Sequence, residues 1–253
     1  MTRRSDKTSS TRLKGEKVDI NEASVLGFFS ERAQRYSDEA PLVSVLYQDK
    51  NPELAERRDE QEKAKVLPLL NLKGSETVLD IGCGIGRWVD ILAGSVNQYI
   101  GIDADPGFIR IAKERRTDTR VQFHALGAGE LAKAGFVEPD SVNLVIICGL
   151  FPYINDETAK TSLVGLEKKL APGARIYLRE PLGVKARFTL RNHWSEELQQ
   201  FYSAIYRSRA EMLDLFSGAL PGFDSNGFQP LFGETALNNR AETQQYFLIG
   251  QVN

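Results

Sequence analysis

From Gly74 onward, short apolar runs alternate with stretches in which apolar residues recur every three or four positions. The runs at 77–81, 98–103, 120–125, 142–148 and 174–180 are almost continuously apolar, as strands buried on both faces of a parallel sheet must be. Between them the spacing predicts helices over 86–94, 106–116, 129–135 and 156–170. Strictly alternating strands and helices predict an α/β fold with helices on both faces of the sheet. Two more strands are expected near 228–232 and 246–252.

Ahead of the sheet, Val25, Phe28, Phe29, Ala33 and Tyr36 fall at helical spacing behind Asn21, a favoured N-cap. A second helix opens at Asn51-Pro52, where proline suits the first helical position. Its Glu53–Arg57 and Asp59–Lys63 pairs stand one turn apart, so Arg57 and Arg58 read as solvated helix charges, with closure of Tyr36, Tyr47 and Arg58 over a bound ligand as the alternative. Residues 20–72 are therefore expected to form a helical cap. Residues 1–19 are rich in Ser, Thr, Lys and Arg, with Leu13 and Val18 almost their only apolar side chains. Too little surface can be buried there to offset ordering, and a disordered tail is predicted. The segment 181–217 breaks the rhythm of the core. Phe201, Tyr202 and Ile205 are spaced like the buried stripe of a helix, and Ser208 with Glu211 forms a capping box. A helical insertion is predicted there, with 218–253 closing the domain.

Composition narrows the possibilities. Of the 253 residues, 42% are hydrophobic and 26% charged, with a net charge of −2, which gives no sign of the basic face a nucleic-acid-binding protein usually presents. The longest apolar runs are too short to span a bilayer. Two cysteines, Cys83 and Cys148, and two histidines lack metal-ligand spacing. A cytoplasmic protein with no metal, no nucleic-acid partner and no membrane insertion is expected; a homodimer stays open.

The chemistry concentrates at Val78-Leu79-Asp80-Ile81-Gly82-Cys83-Gly84-Ile85-Gly86, where a buried strand ends in a glycine turn that opens a helix. Such a turn lets a ligand approach bare backbone. The dinucleotide fingerprint spaces its glycines G-x-G-x-x-G around a pyrophosphate. Here the third comes one residue early, and Asp80 stands where it would repel a diphosphate and suit an ammonium group.

In these residues the chain resembles the class I S-adenosylmethionine-dependent methyltransferases, over about residues 70–180. The resemblance implies a Rossmann-like, seven-stranded, mostly parallel sheet, with 73–180 as the cofactor-binding core and S-adenosylmethionine as cofactor. It places Asp80 by the methionine end, with Gly82, Cys83, Gly84 and Gly86 beneath it. Asp103, beside Ala104 and ending Ile100-Gly101-Ile102-Asp103, would grip both ribose hydroxyls. The family's adenine-binding Asp is replaced by Gly127, leaving the contact to backbone at Ala128 or to Glu130. Gly149 and Leu150 are expected to line the cofactor. Tyr153 either faces the acceptor or packs, and the polar residue and first proline of base-methylating enzymes are absent at 149–153.

A hydroxyl acceptor must lose a proton, so a general base is sought at the strand ends. His193 is the first candidate and Glu180 the second. Arg179, Arg187, Arg191, Arg207, Tyr202 and Tyr206 are candidates for a cationic acceptor pocket. The expected activity is methyl transfer to a small molecule, with a hydroxyl of a sugar or secondary metabolite first. N-methylation, methylation of RNA or protein, and a non-catalytic cofactor-binding subunit are the alternatives; a dehydrogenase is more distant.

Overall fold

The computed structural model describes residues 11–233, 237 and 240–253. Chain order is β1 (Thr11–Lys14), α1 (Glu22–Gln34), α2 (Val43–Leu46), α3 (Pro52–Val66), β2 (Thr77–Ile81), α4 (Val89–Leu92), β3 (Gln98–Asp103), α5 (Pro106–Arg115), β4 (Val121–Ala125), β5 (Val142–Cys148), α6 (Asp156–Glu167), β6 (Leu170–Gly183), β7 (Phe188–Ser195), β8 (Gln200–Tyr206), α7 (Arg209–Ala219), β9 (Phe223–Ser225), β10 (Gln229–Pro230) and β11 (Thr243–Val252). Single 3₁₀ turns lie at Leu67–Leu70, Ala128–Lys133 and Phe151–Tyr153.

The main sheet runs β10-β11-β6-β5-β2-β3-β4, with β9 also on β11. Pairings from β4 through β6 are parallel, while β11 runs antiparallel to β6. Among the described residues the sheet has eight strands where seven were expected. The extra one does not widen the sheet, because β9 pairs with Gly250–Val252 and β10 with Tyr246–Phe247, end to end along β11. The sheet order reverses at β2, where chain order runs outward to β3 on one side and β5 on the other. Open α/β sheets bind ligands at such switch points, outside the carboxyl ends of the strands.

The helices form where their ends are capped. Asn21 accepts from the Ser24 amide, Asn51 from Leu54 and Asp105 from Phe108, and Ser208 with Glu211 completes a reciprocal capping box. One sheet face buries Leu79, Val145, Leu178 and Leu248 against α6 and α7. The other buries Val78, Leu144 and Tyr177 with Trp88, Val66 and Leu70 from the α3–α4 side.

Three expectations are corrected. The segment 181–217 is helical only in α7. Residues 188–206 form an antiparallel hairpin, Phe188↔Tyr206 through Ser195↔Gln200, with a register shift between Leu190 and His193. Tyr202, Ala204 and Tyr206 alternate inward with Phe201 outward, and Ile205 is buried because it packs on Ile20 and Val25. The predicted tail is partly ordered: Thr11–Lys14 pairs with Phe188–Arg191 as the third strand of that hairpin, with residues 1–10 outside the described part. Residues 86–94 and 129–135 contain only the four-residue α4 and a 3₁₀ turn. Asn238 and Asn239 lie outside the described residues.

Candidate active site

A cavity of about 590 Å³ lies over the carboxyl ends of the central strands, roofed by α1 and α2, a size in the usual range for small-molecule sites. Its floor is the glycine turn. Gly82, Gly84 and Gly86 all have positive φ, at 76°, 54° and 76°. At Gly84 the closest neighbour is the roof: a Cβ there would come within 2.8 Å of Val45 Cγ1. A side chain would thus be strained in backbone and crowded in space. The amides of Gly82 and Cys83 both donate to the Ile102 carbonyl (2.8 and 2.9 Å), Gly86 to Cys83 (2.9 Å) and Gly84 to the Asp103 carboxylate (2.9 Å). These four amides are therefore occupied within the protein, unlike the outward-pointing donors that cradle a pyrophosphate.

Two carboxylates flank the turn. Asp80 is 2% exposed, accepts from the Tyr99 phenol and lines the cavity. Burial pushes it up to about 7 against the pull of Tyr99 and Arg87. Asp103 accepts from the Asp105 and Gly84 amides, and burial still raises it to about 6. Each gains from a ligand cation or hydroxyl donor that replaces lost water. The residues present therefore fit S-adenosylmethionine: Asp103 toward vicinal hydroxyls, Asp80 toward an ammonium, Leu126–Glu130 along the adenine side. Gly82, Cys83, Gly84, Ala104, Ala128, Gly149 and Leu150 line the cavity. Gly86 does not, and instead packs on Phe123 and Val89.

The profile of a methyltransferase domain family matches residues 78–173. Residues 78–173 thus match a methyltransferase domain, and the Rossmann-like sheet has the class I methyltransferase fold. Among relatives, phosphoethanolamine N-methyltransferase 1 of Triticum aestivum is 26% identical over 69% of this chain and 34% of its own length. Demethylmenaquinone methyltransferase of Oceanobacillus iheyensis is 26% identical over 60% of this chain and 63% of its own. Among solved structures, phosphoethanolamine N-methyltransferase 1 of Haemonchus contortus, in complex with phosphoethanolamine and S-adenosylhomocysteine, aligns with a TM-score of 0.69 and 20% identity, over 92% of this chain and 50% of that one. The chain spans about a third of the length of the wheat relative.

The rest of the cavity wall is aromatic and cationic. Phe29 meets Tyr153 edge-on at 4.9 Å, and Tyr47 lies 6.0 Å from Tyr153. Burial pushes both phenols up, so they stay protonated near neutrality. Tyr202, Tyr206, Arg58, Arg179 and Arg240 complete this wall, with Arg240 donating to the Tyr206 hydroxyl at 3.0 Å. Burial contributes most to lowering Arg58 to about 10, and the repulsion of Arg240 and Arg179 adds to it, against Glu197. Arg179 is oriented by Glu62 of α3, whose carboxylate also takes Arg87 and the Tyr177 hydroxyl. Burial pushes Glu62 up, but Arg179 and Arg87 outweigh it and bring it to about 2.

Several sequence expectations move. His193 sits on β7 opposite Tyr202, ring centroids 5.9 Å apart, and does not line the cavity. Burial and the nearby Arg12 and Arg240 lower its basicity, with Glu242 opposing. Glu180 is fully buried and does not line the cavity. Arg207 and Arg187 are buried ion-pair partners of Asp156, and Arg191 is exposed on β7, so none of the three lines the pocket. Tyr36, considered for the cap's closure over the cofactor, instead bonds Asp38 and Arg115. Arg58, read as a solvated charge, donates to the Leu237 carbonyl and lines the cavity. The roof residues Phe29, Val45 and Gln48 and the reaching Glu62 were missed. Their only sequence signal was an apolar stripe and an unremarkable helix charge, neither of which encodes a fold-back over the sheet.

Proposed function

We propose that this chain methylates the nitrogen of a small acceptor that also carries an anionic group. The observation that carries the reading is the pairing, in one cavity, of the clustered guanidiniums of Arg58, Arg179 and Arg240 with the neutral aromatic wall of Tyr47, Tyr153 and Phe29. Guanidiniums bind phosphate or carboxylate strongly, and aromatic faces suit a nitrogen that gains methyl groups and positive charge. The names of the wheat and nematode relatives point the same way. A hydroxyl acceptor is disfavoured because His193 lies outside the cavity and the buried phenols stay protonated, unable to take a proton. A neutral amine brings its own lone pair.

When bound, S-adenosylmethionine supplies an electrophilic methyl group on sulfur. Asp103 and Asp80 hold the cofactor by its hydroxyl and ammonium groups. The Arg240–Tyr206 edge anchors the acceptor's anion, and Tyr153 and Tyr47 orient its nitrogen. Positioning of this kind supplies much of the rate of an in-line displacement. Calorimetry with S-adenosylhomocysteine, followed by tritiated-methyl transfer to amines with and without phosphate or carboxylate and to sugar hydroxyls, tests the reading. Label is expected in anionic amines and not in their uncharged counterparts. Label in hydroxyl acceptors alone overturns it.

A further inference from the structure

The turn 149–154 has two working sides. Leu150 lies under the glycine turn, 3.5 Å from where a Gly82 Cβ would stand, and Tyr153 faces the aromatic wall. Its backbone is held from two directions. On the β6 side, the Gly149 amide donates to the Arg179 carbonyl (2.9 Å), and the amides of Leu150 and Phe151 donate to Glu180 Oε1 (3.0 and 3.2 Å). On the hairpin side, Arg207 donates to the carbonyls of Phe151 (2.5 Å) and Ile154 (3.0 Å), itself fixed by Asp156.

We propose that Glu180 is a positioning residue for methyl transfer: with Arg207 it clamps this turn, so that Leu150 floors the cofactor and Tyr153 meets the acceptor in one register. The proposal rests on the methyltransferase reading above. Glu180 is fully buried beside Pro152, Leu182, Ile205 and Met212, with no room for a ligand. A carboxyl in such surroundings is costly unless its charge has a task. Its Oε2 has no partner among the described residues, so the whole directed pull falls on two amides, and an ionised acceptor holds them more strongly than a neutral one. The charged groups facing it are Arg179 from its own strand and Arg207 from the end of β8; Asp156 lies beyond Arg207, α7 contributes Met212, and β11 places Tyr246 opposite. Burial raises the carboxyl to about 7 against the pull of the Phe151 amide, Arg179 and the Leu150 amide. The clamp therefore tightens as pH rises through neutrality.

The full chain and Glu180→Gln are compared by hydrogen exchange and by kcat against pH, using an anionic amine acceptor. The variant is expected to exchange faster across 149–154 and not across 77–81, and to lose on the order of tenfold in kcat. It should also lack the part of the acidic limb near neutrality that the wild type shows. Unchanged exchange at 149–154, or wild-type kcat with the same limb, overturns the proposal. If Glu180→Gln does not fold, the wild type decides: kcat flat from pH 5.5 to 8.5, with circular dichroism constant, overturns it, and protection of the 149–154 amides that rises across this range, after correction for intrinsic exchange, upholds it. Should no amine accept label, the function reading fails, while exchange at 149–154 still tests the clamp.

Discussion

The Asp103 carboxylate accepts the Gly84 amide at 2.9 Å, joining the end of β3 to the middle of the glycine turn. One side chain thus shapes the glycine turn and also lines the cavity. Asp103→Ala is expected to weaken S-adenosylhomocysteine binding by about 1.5–3 kcal/mol, the range for hydrogen bonds to a charged group, or roughly ten- to hundredfold in Kd. Titration calorimetry reads this directly, and an unchanged Kd contradicts the assignment.

Val45 and Gly84 give a second test. A Gly84→Ala substitution meets a left-handed backbone and a contact at 2.8 Å. The backbone part alone costs about 1–2 kcal/mol. Adding Val45→Ala should relieve the contact and leave the backbone strain. In a double-mutant cycle on Tm and cofactor Kd, the pair should be less damaged than the sum of the singles.

Acidity should move stability and cofactor affinity in opposite directions. Asp80, Asp103 and Glu180 are raised to about 7, 6 and 7, mainly by burial. Each therefore adds stability that is complete below the unfolded carboxylate range and is lost as pH rises through its folded value. Glu62, lowered to about 2, gives the reverse contribution, but its window lies below pH 5. Between pH 8 and 5 the apo protein should melt at a higher temperature while its S-adenosylhomocysteine affinity falls, because an ammonium and a diol prefer ionised partners. Thermal melts and calorimetry over that range check both signs.

His193 and Arg240 should separate cleanly. Arg240→Ala is expected to raise the KM of an anionic acceptor roughly ten- to hundredfold, as for a lost charge-assisted hydrogen bond, with cofactor Kd unchanged. His193→Ala should leave kcat within about twofold, since it lies off the cavity; changes at an exposed or half-exposed position are usually small. A large fall in kcat for His193→Ala would restore the general-base expectation.

The parallel core was legible because buried strands must be apolar throughout, and 77–81, 98–103 and 142–148 match to the residue. The caps at Asn21, Asn51 and Ser208 were legible because each is a local side-chain-to-backbone bond. The hairpin was not. Phe201, Tyr202 and Ile205 imitate a helical stripe only because Ile205 is buried by Ile20 and Val25, a contact more than a hundred residues distant in the chain. Strand β1 is polar and held by backbone pairing, with Arg12 and Lys14 reaching Glu242, so hydrophobic periodicity carried no trace of it. Asp80 and Asp103 were found from motif spacing. Arg58 and Glu62 lacked any motif, since their roles come from where α3 lands.

Glu62 also sets a limit on modularity. The segment 78–173 that matches the family profile contains Arg87, whose guanidinium is 6% exposed and answered by Asp59 and Glu62, both outside that segment. Excising that stretch would strand a cation inside apolar surroundings, a defect worth about 3–5 kcal/mol and comparable to the whole margin by which a small domain stays folded. The profile-matching core and the helix ahead of it are, in thermodynamic terms, a single object.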